Sequence, residues 1–250
     1  MERVQKLFSL GSYCSRREAE KLIEAGRVKV NDKIIKLGHK ARFNDKFEVD
    51  NKEIKLKFTK KYYLLNKPKG YICSNKDKQN KRVVDLIKDE SYLFTVGRLD
   101  VNTTGLIIIT NDGEFSQMLE RPGSGISKTY VVKVNKIISA KMKEKLEKGI
   151  KLESGYTTMP LQFVEVMRKD KKKNESVVKM VLQEGKKNQI KEMFKMIGVE
   201  VINLTRIKIG NLKLHDAKLG EYRKITSFEV EEMKKIIKKQ AKKQSLNLNK

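Results

Sequence analysis

Apolar and polar positions along this chain follow two periods, and the switches between them mark out its elements. Val4, Leu7 and Phe8 fall on one face of a short helix that Gly11 would end. Ser15 with Glu18 makes a capping box opening a second helix over residues 16–25, and Gly26 supplies its stop. The period then drops to two. Val28-Lys29-Val30 and Ile34-Ile35 read as strands around an Asn31-Asp32 turn, and Phe47-Glu48-Val49-Asp50 alternates as well. Residues 51–61 are polar and lysine-rich with no strong core pattern, so a domain boundary is expected there. Residues 1–60 would form a small unit of two helices and a sheet.

The rest is strand-rich. Residues 62–65, 93–96, 106–109, 130–134, 161–167, 177–182 and 199–209 are β-branched or aromatic enough to favour strands. Helices are expected over 83–87, 114–119, 140–148 and 188–197. Strands with interspersed helices, but no regular alternation, predict an α+β domain over 61–240 with a mixed or antiparallel sheet. Thr226 and Glu229 cap a last amphipathic helix to about Lys239. Residues 241–250 are polar and read as a disordered tail.

Charge changes the picture. Lys and Arg number 57 against 31 Asp and Glu, a net +26, and 38% of residues are hydrophobic. Such a field draws polyanions, either nucleic acid or an anionic membrane. No stretch approaches the roughly 18–20 apolar residues of a spanning helix, the N-terminus lacks a signal-peptide core, and Trp is absent. Nucleic acid is therefore the expected partner, met by a soluble cytoplasmic monomer. Biased composition accounts for part of the excess, as in the loop-like run Lys171-Lys172-Lys173. Cys14 and Cys73 lack paired spacing, and His39 and His215 are the only histidines. A zinc centre or Ser-His-Asp triad has few parts to draw on, so no metal or cofactor is expected.

The most informative run is Gly97-Arg98-Leu99-Asp100-Val101-Asn102-Thr103-Thr104-Gly105, followed by the apolar Leu106-Ile107-Ile108-Ile109 and then Thr110-Asn111-Asp112-Gly113. A polar loop is pinned between two strands, as a site that must hold a side chain still requires. Spacing alone favours the plainer reading, in which Asp100 merely caps a turn, with Asn102 and Thr103 satisfying loose amides.

This run resembles the signature of the RsuA/RluB-type pseudouridine synthases of bacterial ribosomal RNA. Three more segments resemble the family's motifs in order: Leu64-Leu65-Asn66-Lys67-Pro68-Lys69-Gly70, Lys128-Thr129-Tyr130, and Glu184-Gly185-Lys186-Lys187-Asn188-Gln189-Ile190-Lys191-Glu192-Met193-Phe194. Cys14-Ser15-Arg16-Arg17-Glu18-Ala19, with Gly26-Arg27-Val28-Lys29-Val30-Asn31, resembles the RNA-binding module of ribosomal protein S4. The resemblance covers nearly the whole chain except the tail. It implies an S4-type α+β domain ahead of a pseudouridine synthase domain, isomerising a uridine of ribosomal RNA or of a subunit precursor. Gly97 to Gly113 and Lys151-Leu152-Glu153-Ser154-Gly155 look nearer the large-subunit enzymes than the small-subunit ones.

It also implies roles. Asp100 matches the catalytic aspartate, a carboxylate that would attack the sugar or assist cleavage. In a pocket shielded from water it needs a cationic partner to stay ionised, and Lys191 matches the residue that supplies one. Lys191 stands about 100° from Ile190, on the flank of an apolar helix face. Where many relatives have Arg, Lys gives a point charge in place of a fork. Tyr130 matches the tyrosine that stacks on the target base and handles its C5 proton. Arg98 looks like a phosphate or displaced-base contact, and Lys67, Lys69 and Lys128 like backbone contacts. On the N-terminal unit Arg16, Arg17, Lys21, Arg27 and Lys29 suggest an RNA-facing surface; alternatively Glu20 and Glu24 neutralise part of it. Two other functions compete: a non-catalytic RNA-binding or ribosome-assembly protein, and a metal-dependent RNA hydrolase. The second lacks clustered carboxylates and histidines.

Overall fold

The structure is a computed structural model describing residues 1–248 except Lys76, Lys78 and Pro122, with side chains described as far as Gln240. The N-terminal unit pairs helices α1 (Val4–Leu10) and α2 (Arg16–Glu24) with strands β1 (Glu2–Arg3), β2 (Val28–Val30), β3 (Lys33–Ile34), β4 (Lys40–Ala41), β5 (Phe47–Val49) and β6 (Lys52–Ile54). Ser15 accepts a hydrogen bond from the Glu18 amide and fixes the start of α2. Val4, Leu7, Phe8, Ala19, Ile23, Val28 and Phe47 form the unit's core. The segment 51–61 is more structured than its polar character predicts. β6 pairs with β5, and Ile54, Leu56 and Phe58 pack against that core. Three apolar residues spaced by two suffice to hold an extended strap.

The larger unit is built on one mixed nine-stranded sheet in the order β11, β12, β10, β13, β9, β7, β15, with β8 and β14 on its flanks. These are β7 (Tyr62–Lys67), β8 (Phe94–Val96), β9 (Thr104–Thr110), β10 (Lys128–Val134), β11 (Phe163–Asp170), β12 (Glu175–Leu182), β13 (Val201–Ile209), β14 (Leu212–Lys213) and β15 (Tyr222–Lys224). Helices α3 (Gly113–Glu120), α4 (Ala140–Lys148), α5 (Gln189–Met196) and α6 (Ser227–Leu248) complete it. The expected helix over 83–87 is a single 3-10 turn, Val83–Leu86, too short to repay nucleation of an α-helix. The last helix starts at the expected Thr226–Glu229 box, in which each residue's amide bonds the other's side chain. Its backbone continues to Leu248, past Lys239 and through most of the expected tail, because no Gly or Pro interrupts the stretch. Residues 249–250 lie outside the described residues. No described helix is long and apolar enough to cross a membrane.

Two halves of the sheet meet at one place. β9 and β13 run parallel for only two rungs, Thr104 opposite Thr205 and Gly105 opposite Arg206, and the two Thr hydroxyls bond at 2.8 Å. A Cβ on Gly105 would stand 2.2 Å from the Arg206 carbonyl oxygen, so only glycine allows this approach. The Asp100 loop enters β9 directly above this junction.

Candidate active site

The loop before β9 is braced from beneath by a lysine. The Lys67 side chain ends β7 fully buried, and its Nζ donates to the carbonyls of Pro68 (3.0 Å), Asp100 (3.1 Å), Val101 (3.2 Å) and Thr103 (3.0 Å). Burial pushes its ammonium below the ordinary lysine range, and these oxygens replace water as its solvation shell. Cys73 Sγ exchanges hydrogen bonds with the amide and carbonyl of Leu99 at 3.4 Å, and the Thr103 amide closes a turn onto the Asp100 carbonyl at 3.0 Å. Leu99 itself is buried with Leu65, Ile107 and Ile109. The backbone carrying Asp100 is thus held on three sides.

The Asp100 side chain is partly exposed, and Lys191 Nζ donates to its Oδ2 at 2.9 Å. Helix α5 delivers that lysine. Its Ile190, Met193 and Phe194 pack into the core of the β10–β12 half, which also contains Tyr130. Just upstream, Glu184 accepts from Tyr156 Oη (2.5 Å), Gln189 Nε2 (2.6 Å) and the Met159 amide (2.9 Å), which fixes the approach to α5. The ion pair links the loop entering β9 to helix α5, which packs on the other half of the sheet.

Sheet register shows what lies below. Lys67, Gly105, Arg206, Tyr130 and Met180 are successive partners across β7, β9, β13, β10 and β12, so their side chains share one face. Tyr130 is 8% exposed, and its hydroxyl has no hydrogen-bond partner among the described residues. Arg206 lies beside it.

Several sequence expectations change. Asp100 is not buried: its side chain is 44% exposed and that of Lys191 is 38% exposed. The interior below the loop is filled by the Lys67 ammonium and its carbonyls, which turns the carboxylate outward. Nor does the Asp100 carboxylate cap a turn, since it is the backbone carbonyl that accepts from Thr103. Lys67 cannot reach an RNA backbone; it is a structural brace with its donors turned into the protein. Lys128 is half-buried at the start of β10, where burial and then nearby Arg206 push its proton affinity down. Arg98 and Lys69 are exposed.

On the N-terminal unit Arg16, Arg17 and Lys21 are exposed, and Lys29 partly so. None of these four forms an ion pair among the described residues, and neither Glu20 nor Glu24 neutralises them. Arg27 differs, since Asp50 holds its guanidinium by two bonds at 2.6 and 2.5 Å. The signature's far end has a use the sequence did not reveal. Buried Asn111 accepts from the Lys61 amide (2.8 Å) and donates to Ser12 Oγ (2.7 Å) and the Thr59 carbonyl (2.9 Å), fastening the N-terminal unit to the end of β9.

Arg206 was passed over by sequence reading. The available signal was its period-two spacing from Leu204, which puts a charge on the inward face of a strand.

Residues 61–196 match the family described as RNA pseudouridylate synthase, and residues 2–47 match the S4 domain. Ribosomal large subunit pseudouridine synthase B of Bacillus subtilis is 39% identical over 94% of this chain and 96% of its own. Ribosomal small subunit pseudouridine synthase A of Vibrio cholerae is 36% identical over 86% of this chain and 92% of its own. A solved structure titled as a pseudouridylate synthase superposes with a TM-score of 0.67 at 29% identity, covering 93% of this chain and 100% of that one. With both modules matched in order and full-length relatives of this kind, the chain belongs to the RNA pseudouridylate synthase family.

Proposed function

We propose that this enzyme acts as a cytoplasmic monomer on ribosomal RNA, isomerising a uridine of the large-subunit RNA with Asp100 as its catalytic carboxylate. The 2.9 Å Asp100–Lys191 pair carries the assignment of the site. The reaction breaks the bond between uracil N1 and ribose C1′, turns the base, and joins C5 to C1′. The C5 proton leaves and N1 gains one, so the balance needs no oxidant. Asp100 either attacks C1′ or assists cleavage by taking up a sugar proton, and the braced backbone keeps it aligned for both. Lys191 supplies the carboxylate with a counter-charge as an incoming nucleotide displaces water. Tyr130 offers a ring face to the extruded uracil, with a free hydroxyl suited to relaying the C5 proton. Arg98 and the unpaired cations of α2 contact RNA phosphates.

The large-subunit target is favoured by the Bacillus subtilis relative, which covers both chains almost completely. The Vibrio cholerae relative supports a small-subunit target as the second reading. Incubating the purified protein with 23S and 16S rRNA and mapping pseudouridine by carbodiimide separates them. Modification of 23S alone is expected, and modification confined to 16S overturns the target assignment.

A further inference from the structure

Arg206 is a buried cation without a counter-ion. The residue is 4% exposed, its Nε donates to the Leu106 carbonyl at 2.8 Å, and one terminal amino group is sealed from solvent with no hydrogen-bond partner. Among the described residues the other amino group donates no hydrogen bond either, and no carboxylate pairs with the guanidinium. The charged residue beside it in the row, across Gly105, is Lys67, another cation. A buried charge in this state costs stability unless something completes it. The protein nevertheless places it between Tyr130 and Gly105, in the strand row whose Lys67 holds the Asp100 loop.

The chemistry of the proposed function has a moment that calls for such a group. When N1–C1′ breaks, its electron pair stays on uracil, whose negative charge spreads over N1, O2 and O4. Asp100 and Lys191 cancel each other, and Tyr130 offers a ring without net charge. We infer that Arg206 holds the detached uracil anion, the terminal amino group that is not sealed off donating to a uracil oxygen while the base turns beside Tyr130. C5 then returns an electron pair to C1′, the C5 proton departs, N1 is protonated, and the charge at Arg206 is again uncompensated. Ground-state uracil is neutral, so the interaction strengthens as the bond breaks and should appear in kcat more than in KM.

This inference rests on the isomerase reading and can fail separately from it. Arg206→Gln keeps a donor but removes the charge; kcat on uridine-containing rRNA should fall about 100-fold with KM changed less than about threefold. Arg206→Lys should recover about a tenth of wild-type kcat. On RNA carrying 5-fluorouridine, whose base is the better leaving group, bond cleavage by Arg206→Gln should be only about tenfold slower than by wild type. A folded Arg206→Gln enzyme with wild-type kcat overturns the inference, as does an equal loss on both bases, which marks a structural role. Should that variant not fold, the wild-type protein decides. 5-Nitrouracil, anionic at neutral pH, should inhibit at least about tenfold more tightly than uracil, and equal or weaker inhibition overturns the inference. A wild-type protein that modifies no rRNA refutes the isomerase reading itself.

Discussion

The cations below the Asp100 loop and those on α2 are the same residue types put to opposite uses. Lys67 and Arg206 are buried and bonded to backbone carbonyls. Arg17 and Lys21 extend into solvent without ion pairs among the described residues. A charge that must act on one atom needs an immobile frame, whereas a charge that only attracts phosphate gains from being free to adjust. The first group should therefore govern kcat and stability with little salt dependence, and the second should govern RNA affinity with much.

The largest effect is expected from Lys67→Met, which removes the donor for four carbonyls. We expect a loss of about 3–5 kcal/mol in urea unfolding and at least about a 100-fold fall in activity. A change under about 1 kcal/mol would show that the loop is held some other way. Lys191→Ala should lower kcat about 100-fold while rRNA affinity stays nearly unchanged, and Lys191→Arg should retain most activity. Equal losses in affinity and rate would instead make Lys191 a phosphate contact.

Arg17→Ala and Lys21→Ala should each weaken rRNA binding a few-fold and reduce the log-log salt slope by about 1, leaving kcat alone. An unchanged slope would remove α2 from the RNA surface.

A further effect, on stability alone, concerns the frame at α6. There the Arg223 guanidinium, together with the Thr226 amide and hydroxyl, outweighs burial and holds the Glu229 carboxyl at about 2, below its usual 4.5. The native state thus favours the ionised form, so this stabilisation is complete above about pH 4.5 and lost as pH falls toward 2. Glu229→Gln should cost about 1–2 kcal/mol at pH 7, with the gap to wild type closing over that acid window. A gap constant from pH 7 to 3 would assign the loss to packing.

Much of this was legible along the chain because it is local. The Ser15 and Thr226 caps, the strand period and the loop at 97–105 depend on neighbours within a few residues. The pairing of Asp100 with Lys191 was reachable through ordered motifs, though the two are 91 positions apart. What escaped was charge placed inside. Lys67 closes an apolar run and looks like the polar end of a strand, but its carbonyl partners lie mainly 33 to 36 positions later. A catalytic carboxylate suggests a shielded pocket, but here the buried cation is Lys67 and Asp100 is partly exposed. Asn111 joins Ser12 across 99 positions, a contact that no local pattern announces.

The central claim is tested most directly by Asp100→Asn, a change of one atom on a backbone held by Lys67 and Cys73. Purified variant incubated with rRNA should bind with near wild-type affinity and melt at a similar temperature, yet form no pseudouridine detectable by carbodiimide mapping. Modification at the wild-type level would show that another group performs the chemistry.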